Sequence, residues 1–201
     1  GGKTYNAMTF SGQVPGPTLR VTQGDVVKMT LSIPADEVTG HGNDMHASQM
    51  TALAFDSVNP GETSQYCYIA ESAGVFKYHC SGVHLIGMDQ HVFSGMYGIA
   101  IVDPANGYKK LMVEKTSGSG DLDRQFYDAD ALEFQLQFNQ LYLNDDGNYD
   151  AGAMFQHHNS ATVVNGIQFG YVPNMLHNIL LKGDANKNIF VAQPWNGLEL
   201  E

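Results

Sequence analysis

The chain has no apolar run approaching about 18 residues, so no transmembrane helix is expected. It is also poor in basic residues: 10 Lys and Arg stand against 21 Asp and Glu in 201 residues, for a net charge of −11. A surface that negative repels phosphate backbones and argues against nucleic-acid binding. Charged residues of both signs make up only 15%, whereas 43% of residues are hydrophobic. That balance belongs to a globular chain and excludes a disordered one. There is no internal repeat, no low-complexity tract and no signal peptide, although a mature chain would have lost one. At roughly 100–150 residues per domain, the length suits one domain with a large extension, or two small ones.

Cysteine is scarce as well, with two residues, Cys67 and Cys80. Their surroundings argue against a crosslink. Cys80 lies between His79 and a Ser-Gly loop, and Cys67 sits in an expected strand. Eight histidines and nine methionines are generous for this length. A cysteine near several His and a Met reads as a metal site before it reads as a disulfide. Cys67 itself is expected to be a free thiol covered by the C-terminal part of the chain.

What is abundant in the first hundred residues is strand pattern. Thr18-Leu19-Arg20-Val21 leads into a turn at Gln23-Gly24-Asp25. Val26 to Leu31 follows and stops before Pro34. A turn at Asn59-Pro60-Gly61-Glu62 opens the run Thr63 to Ile69, in which Tyr66 and Tyr68 face one way, Cys67 and Ile69 the other. Val75 to Cys80 and Gly98 to Val102 complete the series before Asp103-Pro104. Short strands with turn signals every 8–12 residues or so indicate a β-sandwich or barrel. No stretch of helical period interrupts them.

After Pro104 the composition shifts. Lys115 to Arg124 contains Ser117-Gly118-Ser119-Gly120 and reads as a flexible linker or loop tip. Leu132 to Phe138 alternates strictly and predicts a half-buried strand. Tyr149 to His158 reads as a short helix, and Thr162 to Gly166 and Asn188 to Val191 as further strands. Four strands or so fall short of a complete immunoglobulin-type sandwich. The tail is therefore expected to fold back on the first domain or to pack against a neighbouring subunit, since exposed sheet edges are normally covered.

The chemistry concentrates in one segment. His79-Cys80 is followed, eleven residues on, by His91 and then Ser94-Gly95-Met96. A second cluster, His41-Gly42-Asn43-Asp44-Met45-His46, lies upstream. A thiolate and two neutral imidazoles in a plane, with a weak axial Met, make a type 1 copper electron-transfer site. Cys80, His91 and Met96 come from one inter-strand loop, and His41 from another. His84, within that loop, reads as a solvated residue, and His157, His158 and His177 as structural ones.

Residues from about Tyr5 to Val102 resemble the first cupredoxin domain of copper nitrite reductases and their multicopper-oxidase relatives. The matching stretches are Phe10 to Thr18, Gly24-Asp25, Val58-Asn59-Pro60-Gly61-Glu62, Tyr78-His79-Cys80 and His91-Val92-Phe93-Ser94-Gly95-Met96. Around Val164-Asn165-Gly166 the tail resembles the opening of the second domain of the same family. The resemblance implies an all-β, Greek-key cupredoxin β-sandwich over residues 1–104, with a C-terminal β-rich extension over residues 105–201. It also implies copper: His41, Cys80 and His91 as type 1 ligands with Met96 axial, and His46 and His79 as two of the three histidines of a catalytic type 2 copper. Asp44 then matches the carboxylate that hydrogen-bonds substrate there.

Three departures shape the expectations. The step from Cys80 to His91 is about two residues longer than the reductase pattern, which would loosen the axial position and admit a small ligand such as nitric oxide. The third type 2 histidine comes from late in the second domain of an adjacent subunit, beyond the point where this sequence ends, so a second copper is expected to bind weakly. No His follows Cys80 directly and no His-x-His pair lies near residue 41, so the trinuclear cluster of laccases is not supported. The sequence thus points to a type 1 copper electron carrier serving a redox partner protein. The alternative is a nitrogen-oxide oxidoreductase acting on nitrite or nitric oxide. The resemblance further implies a homotrimer and an exported location, periplasmic or extracellular.

Overall fold

The structure is a computed structural model that describes residues 4–48, 57–82, 87–108, 110–116, 122–128 and 135–168. Eleven strands, two short α-helices and one 3-10 turn account for the regular structure of those residues. The first six strands are β1 (Leu19–Thr22), β2 (Val26–Ser32), β3 (Asp44–Met45), β4 (Thr63–Ile69), β5 (Gly74–His79) and β6 (Tyr97–Asp103). One sheet has the order β1-β6-β5-β3, and β2 pairs with β4 alone. β1 runs parallel to β6, whereas β5 is antiparallel to both β6 and β3.

Alternation explains how these two sheets face each other. On β4, Tyr66 and Tyr68 point inward while Cys67 and Ile69 stay exposed. On β2, Val27 and Met29 take the same inner side. They meet Met45, Tyr78, Ala100 and Val102 from the four-stranded sheet in one apolar core. β6 is buried on both sides, as expected of a central strand, and reads as a continuous apolar run. Gly98 on β6 leaves room for the ring of its cross-strand partner Tyr78, whose hydroxyl donates to the Pro17 carbonyl at 2.5 Å.

Helix α1 (Gly87–Phe93) corrects the expectation that no helix interrupts the strands. At seven residues it completes only about two turns, too few to leave a periodic apolar stripe. Of the two readings open to the Ser-Gly run, linker or loop tip, the second agrees with the strands that flank it. Lys115 and Arg124 belong to β7 (Lys110–Thr116) and β8 (Leu122–Asp128), two strands not expected from the sequence, which pair antiparallel over their whole length.

Of the strand expected over 132–138, residues 132–134 lie outside the described residues. Residues 135–137 are irregular, and β9 begins at Phe138 and runs to Leu141. The helix expected over 149–158 is confined to α2 (Ala151–Phe155), capped by Asp150, whose side chain accepts from the Ala153 amide at 3.0 Å. β10 (Ala161–Val164) pairs with both β9 and β11 (Ile167–Gln168). The strand expected over 188–191 lies outside the described residues.

Of the two placements open to the tail, its described part takes the first. The Asn6 amide donates to Gly147 O at 2.9 Å, and its side chain to Asp146 O. Asn139 donates to the Tyr97 hydroxyl at 2.7 Å. Phe93 of α1 stacks on Tyr149 at 5.5 Å between ring centroids and meets Tyr142 edge-on at 6.0 Å. The tail thereby packs against the same α1 that carries His91. Cys67, expected to be covered, is instead a free and exposed thiol, because β4 turns it away from the core.

Candidate metal centre

Three elements bring the sulfur site together. β5 ends at His79, and strand alternation sends Cys80 to the same side as the buried Tyr78. α1 supplies His91 from its last turn. His41 is held by a two-way backbone bridge to Val58: the His41 amide donates to Val58 O at 3.0 Å, and His41 O accepts from the Val58 amide at 2.7 Å. The result places Cys80 Sγ 3.6 Å from His41 Nδ1 and 3.4 Å from His91 Nδ1. Cys80 is fully buried, and His41 and His91 are only 5% and 3% exposed.

Met96 is buried nearby and tied in through the backbone. The Cys80 amide donates to Met96 O, and the Met96 amide donates to His91 O, both at 3.0 Å. The turn that allows this passes through Gly95 at φ +122, where a side chain would run into Met8 O and Val14. Residues 83–86, including His84, lie outside the described residues, and helix α1 takes up the last part of the long step, from Gly87 to His91.

Sequence reasoning passed over two residues that act on the sulfur. The Gly82 amide donates to Cys80 Sγ at 3.3 Å, and the Gly42 backbone also hydrogen-bonds it. Gly82 has to be a glycine: an added Cβ would lie 2.7 Å from Gly40 O and 3.4 Å from the sulfur. The only sequence signal is a glycine shortly after a ligand, Gly42 one residue past His41 and Gly82 two past Cys80. Burial pushes the Cys80 thiol up, and the two amides oppose that by favouring the thiolate. Burial also pushes the His41 imidazole down, against a smaller pull from Glu37, which keeps the ring neutral and able to bind a metal.

The second cluster sits on the opposite face of β5. Register places Asp44 of β3 directly across from His79, and His46 follows two residues later in a single 3-10 turn, His46–Ser48. His46 Nε2 and His79 Nε2 are 3.1 Å apart. Asp44 Oδ2 lies 3.6 Å from the first and 3.4 Å from the second. His79 Nδ1 donates to Cys80 O at 2.9 Å, which leaves Nε2 as the free lone pair. Burial, His79 and Lys77 push the His46 imidazole down, with Asp44 opposing. Among the described residues these two are the only groups of three or more His, Cys, Asp or Glu that could hold a metal. His157 and His158 are exposed and belong to neither, and His177 lies outside the described residues.

A family model described as multicopper oxidase matches residues 1–107. The chain belongs to the multicopper oxidase family. It is 38% identical over 129 residues to a copper-containing nitrite reductase of Rhizobium sullae, covering 61% of this chain and 34% of that one. It is likewise 38% identical over 110 residues to the enzyme of Alcaligenes xylosoxydans xylosoxydans, covering 54% and 33%. Among solved structures, copper nitrite reductase from Nitrosomonas europaea matches with a TM-score of 0.61 at 37% identity, over 84% of this chain and 52% of that one. The copper-containing nitrite reductase of Thermus scotoductus SA-01 gives 0.62 at 26% identity, over 83% and 35%. The chain spans about a third of the length of the curated relatives it matches. Its fold is the all-β cupredoxin sandwich, and copper is its cofactor.

The sulfur site suits that cofactor. A thiolate and two imidazoles are the donor set of a type 1 copper. Bonds of about 2.3 Å to sulfur and 2.0 Å to nitrogen would close on the observed separations with angles at the metal of roughly 105–115°. The sulfur could thus share one ion with either imidazole at the observed separations, and all three donor atoms lie within 4.8 Å of one another.

Proposed function

We propose that this chain is a type 1 copper electron carrier, with His41, Cys80 and His91 as the strong ligands and Met96 in the axial position. The observation that carries the reading is a wholly buried cysteine sulfur facing two imidazole nitrogens at hydrogen-bond distance. Copper bound there supplies one-electron chemistry between its two common oxidation states. The protein does the rest. Buried walls exclude water from the sulfur, and two backbone amides stabilise its charge. The ligand loops are fixed by the β5–β6 ladder and the His41–Val58 bridge, so the donors keep their positions when the charge changes.

Replacing Cys80 by Ser tests the assignment. The intense visible band of a copper–thiolate bond should disappear, while circular dichroism shows the sandwich still folded. A Cys80→Ser protein that kept the band would end the proposal.

A second reading, nitrogen-oxide chemistry, is favoured by one observation: the Asp44, His46 and His79 cluster directly behind the sulfur site. His79 and Cys80 are neighbours in sequence, and the His79 ring hydrogen-bonds the Cys80 carbonyl, so the two clusters share a single peptide link. Copper content separates the readings: one ion per chain supports the carrier, two the enzyme. We further propose that residues 1–104 form the cupredoxin unit and 105–201 an extension resembling an incomplete second domain. The assembly would be a homotrimer in an exported compartment, meeting a redox partner protein near α1. Light scattering at monomer mass would exclude the trimer.

A further inference from the structure

We infer that Asn139, a residue of the tail, is a positioning residue for the copper site: through its hydrogen bond to Tyr97 it fixes the turn at 94–97 and so holds Met96 in the axial position. This deepens the type 1 copper reading and rests on it. It makes the tail part of the apparatus that sets the reduction potential.

The turn is held from two sides. On the inside, the Met96 amide donates to His91 O and Met96 O accepts from the Cys80 amide, both at 3.0 Å, so the Met96 backbone is tied to two strong ligands. On the outside, the Met8 amide donates to Ser94 O at 2.9 Å. Tyr97 opens β6 directly after Met96. Its amide folds back on Gly95 O at 3.0 Å, and its carbonyl accepts from the Gly16 amide at 2.7 Å. Its side chain is the outer handle: Tyr97 is 8% exposed, and its hydroxyl oxygen accepts from Asn139 Nδ2 at 2.7 Å. Burial pushes the Tyr97 phenol up, with Asn139 opposing, so the ring is neutral at ordinary pH. Asn139 stands on strand rather than loop, paired with Val163 of β10, so the donor is itself held in place.

The axial ligand is where such a handle matters most. The axial bond of a type 1 site is long and weak, so the chain rather than the metal sets its length. His41 has its own anchor in the Val58 bridge, Cys80 in β5 and His91 in α1. Met96 has only the backbone of the turn, and a small shift of Tyr97 is therefore felt there before it is felt at the strong ligands. A slacker thioether gives less electron density to the metal. The oxidised ion needs that density more than the reduced one, so loss of the Asn139 bond favours reduced copper.

The test poises the copper-loaded full chain against a fixed redox buffer and reads oxidised copper by its copper–thiolate band. Asn139→Ala should raise the ratio of reduced to oxidised copper by about twofold to tenfold, the worth of one neutral hydrogen bond; tenfold is about 59 mV. Tyr97→Phe should give the same shift, and the double variant no more than either alone, because both remove one interaction. Asn165→Ala is the control. It removes the bonds to Gln135 and Gln137 that steady the same tail without touching Tyr97, and it should leave the ratio unchanged. The inference is overturned if Asn139→Ala keeps the parental ratio, if Asn165→Ala shifts it as far, or if the two single shifts add. If Asn139→Ala does not fold, Tyr97→Phe carries the test alone: a raised ratio supports the inference and a parental one overturns it. Failure of the type 1 reading would show separately, as absence of the copper–thiolate band in wild-type protein.

Discussion

Metal binding at Cys80 should release one proton, and the structure fixes the pH range in which this is visible. The thiol is pushed up from an ordinary value of 9.0 by burial, so it is protonated in the metal-free protein at neutral pH. The His41 imidazole is pushed down from 6.5, so it is neutral and has no proton to give. Between about pH 7 and 8.5 the only ionisation coupled to binding at these two residues is therefore Cys80 losing its proton to become a ligand. Apparent affinity should rise about tenfold for each pH unit, or about 1.4 kcal/mol. The assay is competition for copper between protein and chelator, read by the copper–thiolate band so that the Asp44 cluster stays silent. Calorimetry in two buffers of different ionisation enthalpy gives the proton count. Affinity that does not change across this range, or a count near zero, would refute the reasoning. The same shift governs the metal-free fold. A folded pKa above the unfolded one contributes stability below the unfolded value and loses it as pH rises through the folded value. Metal-free protein should thus weaken from about pH 9 upward, and Cys80→Ser should remove that loss.

Further expectations concern the scaffold. Gly98→Ala would push a methyl into the Tyr78 ring and should destabilise by about 1–3 kcal/mol in chemical denaturation. Phe93→Ala removes the contacts with Tyr142 and Tyr149 and should cost about 1–3 kcal/mol, with faster proteolysis after residue 135 than in the parent. Arg20 grips Asp103 with two hydrogen bonds at 2.7 and 2.8 Å and holds its carboxyl below the usual 3.8. A depressed carboxyl pKa contributes stability above the unfolded value and loses it as pH falls through the folded one. Arg20→Ala should therefore narrow the stability difference between pH 6 and pH 3. Because the pair is partly exposed, the effect should be about 1 kcal/mol or less, read from thermal midpoints at the two pH values.

Strand alternation made most of the first hundred residues legible. Thr63 to Ile69 is a strand with the bounds its alternation suggests, and Tyr66 and Tyr68 share one face as expected, which the structure shows to be the inner one. The donor types at residues 41, 80 and 91 were legible too, because a cysteine and two histidines on neighbouring loops have few other chemical readings. What escaped the sequence depends on partners far along the chain. β7 and β8 were hidden by the Ser-Gly run between them, since a flexible composition looks the same in a linker as in a hairpin loop. Of the strand expected over 132–138, the described residues 135–137 are irregular and β9 begins at Phe138, where Val164 provides a partner. Helix α1 is held by its position rather than by its own periodicity: Phe93 is pinned between two tyrosines of the tail. Gly42 and Gly82 carry no side chain to announce their amides' role.

The two clusters are consequences of one local arrangement. At the end of β5, successive residues point to opposite faces, so His79 and Cys80 serve two sites separated by the thickness of the sheet. β3 does the same with two residues: Asp44 faces His79, while Met45 enters the core beside Tyr78. A slip of one residue in the β3–β5 register would send Asp44 into the apolar core and Met45 out to His79. Burying a carboxylate among Tyr78, Ala100 and Val102 without a partner would cost several kcal/mol or so, so that register has no close competitor. The same core that fixes β3 holds Tyr78, the residue two before Cys80. Packing in the core thus sets both donor groups at once, and the peptide between His79 and Cys80 is the shortest covalent path that a β-strand offers between its two faces.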